Sequence, residues 1–353
     1  RSRGELPIPD FYDPSNAARW SYAPDAQALL ERATAWAREH GIPPAAADRV
    51  VLHLLLIDLQ RDFCFPEGAL FVAGRSGRGA VEDNDRIARF IYRNLGAITQ
   101  ITCTLDSHYP FQIFSPAFWL DEEGRPPAPH REVTAEDVRA GRLRPNPALA
   151  RWLADGDEAW LRRYVEYYCE ELERTGKYRL YLWPPHCLVG GEGHLLAGVI
   201  QEARLFHAYA RLSPPAIELK GSHPLTENYS ALGPEVMTAH DGRRLADWNR
   251  ALVERLMAAD AVLVAGQAAS HCVRMTLEDL IRHIEPAQVR KLYILRDCMS
   301  AVTVPDPARP GEFLVDFTPQ AEEALARFEE AGAHVVESTQ PLESWPELPR
   351  AGR

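Results

Sequence analysis

Short apolar runs, β-branched or leucine-rich, recur along the chain with helical patterns between them, and this alternation constrains the fold more than any other feature. The runs cover 51–57, 98–105, 178–182, 216–219, 261–265, 292–295 and 334–336. Strands that are apolar throughout are buried on both faces, which in an alternating pattern predicts a three-layer α/β/α fold with a mainly parallel central sheet. Helical stripes lie between them: Leu245, Trp248, Leu252 and Leu256 form one, and Val273, Leu277, Leu280, Ile281 and Ile284 another.

A chain of 353 residues, 46% hydrophobic, can bury a full core in one large domain. The first apolar run begins at residue 51, so residues 1–50 are expected to form an N-terminal extension. Its predicted helix over 26–40 ends at Gly41-Ile42-Pro43-Pro44. The core domain is expected over 51–340, with a C-terminal tail at 341–353. The spacer between His108 and His186 exceeds a connecting helix. Residues 109–180, with a Pro-rich polar stretch at 122–147 and a predicted helix at 157–174, are therefore expected to be an insertion that covers a site.

A formal net charge of −11 argues against a nucleic-acid partner, because phosphate-backbone affinity comes from clustered Lys and Arg. The longest apolar run is interrupted by His53 and is far shorter than the roughly 20 residues a membrane span needs. No apolar signal segment opens the sequence, so a cytoplasmic protein is expected. The six cysteines are scattered without a CxxC pair, which favours reduced thiols.

In parallel sheets, ligands bind outside the carboxyl ends of the strands, so polar residues directly after apolar runs are the candidates for chemistry. Asp58 follows the first run; alone, such an Asp is more often a turn residue. Cys272 follows a strand and a small-residue turn and opens an amphipathic helix. That placement favours the thiolate through the helix dipole and offers free N–H groups to an oxyanion. Against it stands the frequency of buried structural cysteines. Lys220 ends the 216–219 run, where a lysine is ordinarily solvated. Together with Asp58 and Cys272 it gains a role: the carboxylate takes the thiol proton and passes it to a leaving amine, while the ammonium keeps the acid ionised. Asp106 and His108 lie at i and i+2 of an extended segment, and His186 offers a third ligand. A carboxylate with two imidazoles suits a divalent ion such as zinc. The remaining histidines, His271 among them, are expected to be structural or exposed.

With these segments in view, the chain resembles the nicotinamidase and pyrazinamidase branch of the isochorismatase-like cysteine hydrolases. The resemblance rests on Leu56-Ile57-Asp58-Leu59-Gln60-Arg61-Asp62-Phe63, Asp106-Ser107-His108, Trp183-Pro184-Pro185-His186, Leu219-Lys220-Gly221 with Tyr229-Ser230-Ala231, and Ala265 through Asp279 around Cys272. These motifs follow the family's order from about residue 50 to 340.

The resemblance implies a catalytic triad of Asp58, Lys220 and Cys272, with metal ligands Asp106, His108 and His186 for zinc, or for iron or manganese. It also implies ring-sandwiching residues Phe63 and Trp183, and a cis peptide at Gln267–Ala268 whose Ala268 N–H joins that of Cys272 in an oxyanion hole. The expected activity is hydrolysis of nicotinamide to nicotinic acid and ammonia through a cysteine thioester. The alternatives are a related amidase acting on another small carboxamide, carbamoyl or ureido compound, and a non-catalytic ligand-binding protein on the same fold. In the family pattern Ser107 replaces an aromatic residue and Gln112 stands where a further His would fall. A small-molecule amide is the expected partner, and the sequence leaves a homo-oligomer open.

Overall fold

The computed structural model describes residues 5–350; the outermost ends of the expected extension and tail, 1–4 and 351–353, lie outside the described residues. Its centre is a six-stranded sheet: β1 (Leu52–Ile57), β2 (Ile98–Asp106), β3 (Ala216–Lys220), β4 (Ala261–Gly266), β5 (Leu292–Leu295) and β6 (His334–Val336). Their order is β6-β5-β4-β1-β2-β3, and every pairing is parallel. The chain builds outward from β1 through β2 to β3, then returns to the other side of β1 and builds outward again through β5. The topological switch therefore lies between β1 and β4, where a crevice opens beyond the strand ends.

Alternation along the strands sorts the core onto two faces. Leu54 and Leu56 of β1 and Leu263 and Ala265 of β4 pack on one side. There they meet α1 (Ala26–Glu39), α2 (Gly79–Arg93) and α4 (Gly198–Arg211) through Ala33, Phe90 and Phe206. Leu55, Ile57, Val262 and Val264 point the other way. They pack on α5 (Arg250–Met257), α6 (Cys272–His283) and α7 (Thr318–Glu330) through Leu252, Leu277 and Phe328. Helices cover both faces, as the apolar runs predict.

The residues before β1 lie on the first face, with α1 packed along α4. The Tyr22 hydroxyl donates to Glu202, which also accepts from the Tyr92 hydroxyl at 2.9 Å. The segment 109–180 has a core of its own around α3 (Glu158–Thr175), in which Phe118, Trp119, Tyr164, Tyr168 and Leu180 are buried together. At the other end, Trp345 stacks on Phe90 and Tyr293.

Two expectations fail. The apolar run at 178–182 is not a strand of the central sheet: Leu180–Leu182 pairs antiparallel with Arg131–Val133 in a separate ribbon. Its side chains are apolar because they face the core of the 109–180 segment, with no contribution from the main sheet. Leu245 and Trp248 also lie outside a helix, because α5 starts only after Asn249, whose side-chain oxygen accepts from Leu252 N at 3.1 Å and caps it. Among the described residues no helix is long and apolar enough to cross a membrane. All six cysteines are free and buried.

Candidate active site

The switch point brings together side chains from four strand ends. Asp58 follows β1 with a left-handed φ of 49°, and its N–H donates to Thr104 O at 3.2 Å. The Thr104 hydroxyl donates to its carboxylate at 2.5 Å. Asp106 and Lys220 end β2 and β3 as register partners, so their side chains emerge side by side. Lys220 Nζ donates to Asp106 Oδ1 at 2.5 Å and to Asn228 O at 3.0 Å. It lies 3.6 Å from Cys272 Sγ. It also faces Asp58 Oδ2 at 2.9 Å, as an ion pair without a well-directed hydrogen bond. Cys272 is the first residue of α6. Gly266, the last residue of β4, has φ 130°, and a Cβ there would meet Ile57 O at 2.1 Å. Only glycine lets the Asp58 and Cys272 strand ends come this close.

Burial and charge set the protonation states. Burial opposes the Lys220 ammonium, but Asp106, Asp58 and Cys272 outweigh it and hold Lys220 charged, its pKa well above the ordinary lysine value. Burial pushes the Asp58 carboxyl up, against the pull of Lys220. It also pushes the Cys272 thiol well above its ordinary value; Lys220 opposes this and the two carboxylates reinforce it. Desolvation and two nearby negative charges thus work against the thiolate that the helix N-terminus favours, and the thiol is served by a base.

Beside this cluster, Asp106, His108 and His186 place one ligand atom each within 4.8 Å of one another. His108 Nε2 lies 3.2 Å and His186 Nε2 4.0 Å from Asp106 Oδ2. Each ring contacts a backbone carbonyl through Nδ1, Gly221 O at 2.9 Å and Pro184 O at 2.8 Å. A carbonyl only accepts, so Nδ1 carries the proton and each Nε2 is the nitrogen turned toward Asp106, where a metal would bind. Burial, with His108 adding to it, pushes His186 down to about 3, which keeps the ring neutral. Burial opposes ionisation of Asp106, yet Lys220 and His108 outweigh it and hold the carboxyl well below the usual range. Two imidazoles and one carboxylate fit a divalent ion, with positions left open for other ligands. Gly221 belongs to this arrangement as well: at φ 80°, a Cβ would meet His108 Cε1 at 2.7 Å.

Gln112 does not join the ligand set. Its Nε2 donates to Gly221 O and His223 O at 2.6 and 3.0 Å, and its Oε1 accepts from Tyr109 N at 2.9 Å. It braces the His108 loop.

A cavity of about 460 Å³ opens over Cys272 and the three ligands. Phe63 and Trp183 both line it, with the Phe63 ring 5.7 Å from the His186 ring. The N–H groups of Ala268 and Cys272 have no acceptor among the described residues, and the Gln267–Ala268 peptide is cis.

Several cavity residues escaped the sequence reading, among them His271, Glu227 and Phe317. His271, expected to be structural or exposed, lies in the wall with its ring against Trp183, Tyr229 and Phe317. Its position next to Cys272 was the one available signal. Glu227 Oε1 accepts from Trp183 Nε1 at 3.1 Å, and the same N–H reaches the Tyr229 hydroxyl at 2.9 Å. Burial pushes the Glu227 carboxyl up to about 8. Phe317 arrives from a hairpin that no motif marks.

The ligand geometry predicts that elemental analysis of the purified protein finds about one divalent ion per chain. His186→Ala and Asp106→Ala are each expected to lower that occupancy at least tenfold at equal free metal. Full occupancy in both variants would remove this site from consideration.

No family model matches the chain, and no curated protein matches it in sequence. Among solved structures it is similar to the yeast nicotinamidase bound to the inhibitor nicotinaldehyde: 17% identical over 81% of this chain and 100% of that one, with a TM-score of 0.49. It is also similar to an Acinetobacter baumanii nicotinamidase and pyrazinamidase, 19% identical over 82% of this chain and 96% of that one, with a TM-score of 0.45. A third likeness is the pyrazinamidase of Pyrococcus horikoshii in complex with zinc, 18% identical over 81% and 98% of the two chains, with a TM-score of 0.41.

Proposed function

We propose that the chain is a cysteine amidohydrolase acting on planar carboxamides, of which nicotinamide, converted to nicotinic acid and ammonia, is the simplest. The observation that carries this reading is the buried cluster itself. Cys272 Sγ sits 3.6 Å from Lys220 Nζ and within 4.8 Å of a carboxylate oxygen of Asp58, at the end of an aromatic-walled cavity.

In this reading Asp58 takes the Cys272 proton as sulfur bonds to the amide carbon. Its raised affinity for protons suits it to hold one transiently. The Ala268 and Cys272 N–H groups donate to the oxyanion. The C–N bond then breaks, Asp58 gives its proton to the departing nitrogen, and ammonia leaves. Water attacks the thioester, Asp58 accepts its proton, the acid is released, and the proton returns to sulfur. Lys220 stays charged throughout and balances Asp58 and Asp106. Asp106, His108 and His186 would hold a divalent ion, which supplies a Lewis acid for a ring nitrogen or a water. Phe63 and Trp183 present flat faces to the substrate ring.

A related carboxamide, carbamoyl or ureido substrate is the second reading, and the cavity favours it by exceeding what a single ring with one carboxamide fills. The test is ammonia release from nicotinamide, pyrazinamide and a set of aliphatic amides. Turnover of the two aromatic amides is expected, and activity confined to aliphatic ones would overturn the choice.

A further inference from the structure

The cavity that reaches Cys272 does not end at the ring-binding residues. It continues between two antiparallel ribbons, neither of which belongs to the central sheet. One is the Arg131–Val133 and Leu180–Leu182 pair, with Tyr181 and Arg179 on the wall. The other is the hairpin Thr303–Pro305 with Phe313–Asp316, in which Val304 and Val315 are directly opposite and so share the face that lines the cavity. The hairpin is held in place rather than loose. Thr303 Oγ1 donates to Gly74 O at 3.0 Å, Phe317 N donates to Val302 O at 3.0 Å, and Arg75 pairs with Asp316 at 2.8 Å. Phe317, His271 and Trp183 form a continuous row of rings between Val315 and the catalytic end. His271 belongs to that apolar row because burial pushes it down to about 4 and keeps it uncharged.

The direction in which a substrate can use this space follows from the floor. The cavity borders Cys272 but stops short of Asp58, which is fully buried at 0% exposure. The amide nitrogen must lie against Asp58 to receive its proton, so it faces the closed end, where an N-substituent has no room. The acyl group faces the opening.

On the amidohydrolase reading above, we propose that the space between the ribbons, apolar on its hairpin side, is a second subsite for the acyl group. The substrate is then a primary carboxamide whose planar ring carries a further aromatic or aliphatic group, received by Val304, Val315 and Phe317. Cavities of several hundred cubic ångströms with apolar walls hold ligands larger than one ring, and removal of that second group leaves the outer half of the cavity to water.

The experiment compares kcat/KM of the full chain on single-ring primary carboxamides, on positional isomers of two-ring primary carboxamides, and on N-benzyl amides of the same acids. At least one two-ring isomer is expected to exceed its single-ring parent about tenfold or more, with no turnover of the N-benzyl series. Val304→Asp, at a position 40% exposed, is expected to lower that ratio about tenfold by placing a charge on the apolar face. Single-ring amides outperforming every two-ring isomer, turnover of the N-benzyl series, or a ratio indifferent to Val304→Asp would overturn the subsite. Absence of hydrolysis with any primary amide would instead sink the amidohydrolase reading. Calorimetric binding of the same two amide classes to wild type and Val304→Asp then judges the subsite alone, and equal affinities would overturn it.

Discussion

Replacing Cys272 by alanine is expected to lower kcat/KM for carboxamide hydrolysis about 10,000-fold or more, leaving the circular dichroism spectrum and the central sheet intact. Removing one sulfur from the first residue of α6 costs little packing, because the helix begins after His271 and its apolar stripe, Val273, Leu277 and Leu280, is untouched. Chemistry has no substitute thiol. Lys220 Nζ contacts Cys272 alone among the cysteines, and Cys64, Cys103, Cys169, Cys187 and Cys298 are all buried with their thiols pushed up by that burial. A variant that keeps activity within tenfold of wild type would end the nucleophile assignment, and steady-state ammonia release is sufficient to read it.

Lys220→Met is expected to remove activity and also to destabilise the fold by about 3–5 kcal/mol at neutral pH, the scale set by an uncompensated buried charge. The pH dependence separates this from a packing defect. In wild type, the folded Lys220 pKa lies above its ordinary 10.5, so its contribution is complete below 10.5 and is lost only as pH rises through the folded value. The folded Asp106 pKa lies below its ordinary 3.8, so its contribution holds above 3.8 and is lost as pH falls through the folded value. Lys220 and Asp106 therefore both stay charged across the neutral range. Without the ammonium, Asp58 and Asp106 face each other unneutralised, and the folded variant must take up a proton. Its deficit shrinks as that proton becomes available, from about pH 8 down to about pH 5. Urea unfolding of both proteins at these two pH values, with a chelator present, measures the difference. A deficit equal at both would mean that lost packing, and not charge, causes it.

Much of this architecture was readable because parallel strands advertise themselves. β1 and β4 are buried at every position, so they appear in the sequence as unbroken apolar runs, and the polar residues after them are few enough to single out. Asp58 and Cys272 were singled out in this way, and Asp106 and Lys220 as the polar ends of neighbouring runs. The run ending at Leu182 looked the same, since burial determines apolarity whatever the partner strand. Leu245 and Trp248 carried helical spacing, but Asn249 starts the helix after them. For the Cys272 thiol, the helix terminus that favours the thiolate is visible in sequence, whereas the depth of burial and the second carboxylate that oppose it are not. His271, Glu227 and Phe317 were missed for a related reason: loops and a hairpin far apart in the chain bring them to one wall, and no periodicity records that meeting.

The two ribbons that flank the cavity share no ladder with the six-stranded sheet. On the proposed reading, selectivity would therefore sit on elements outside the sheet that carries the reacting side chains. Substitutions at Tyr181, Val304 or Val315 are expected to reshape what enters while leaving intact the ladders of β1, β2, β3 and β4, on which Asp58, Asp106, Lys220 and Cys272 depend. If the chain hydrolyses amides as proposed, a scaffold divided in this way can change its diet while its chemistry stays fixed, and laboratory selection for new amides is expected to accumulate changes on the ribbons first.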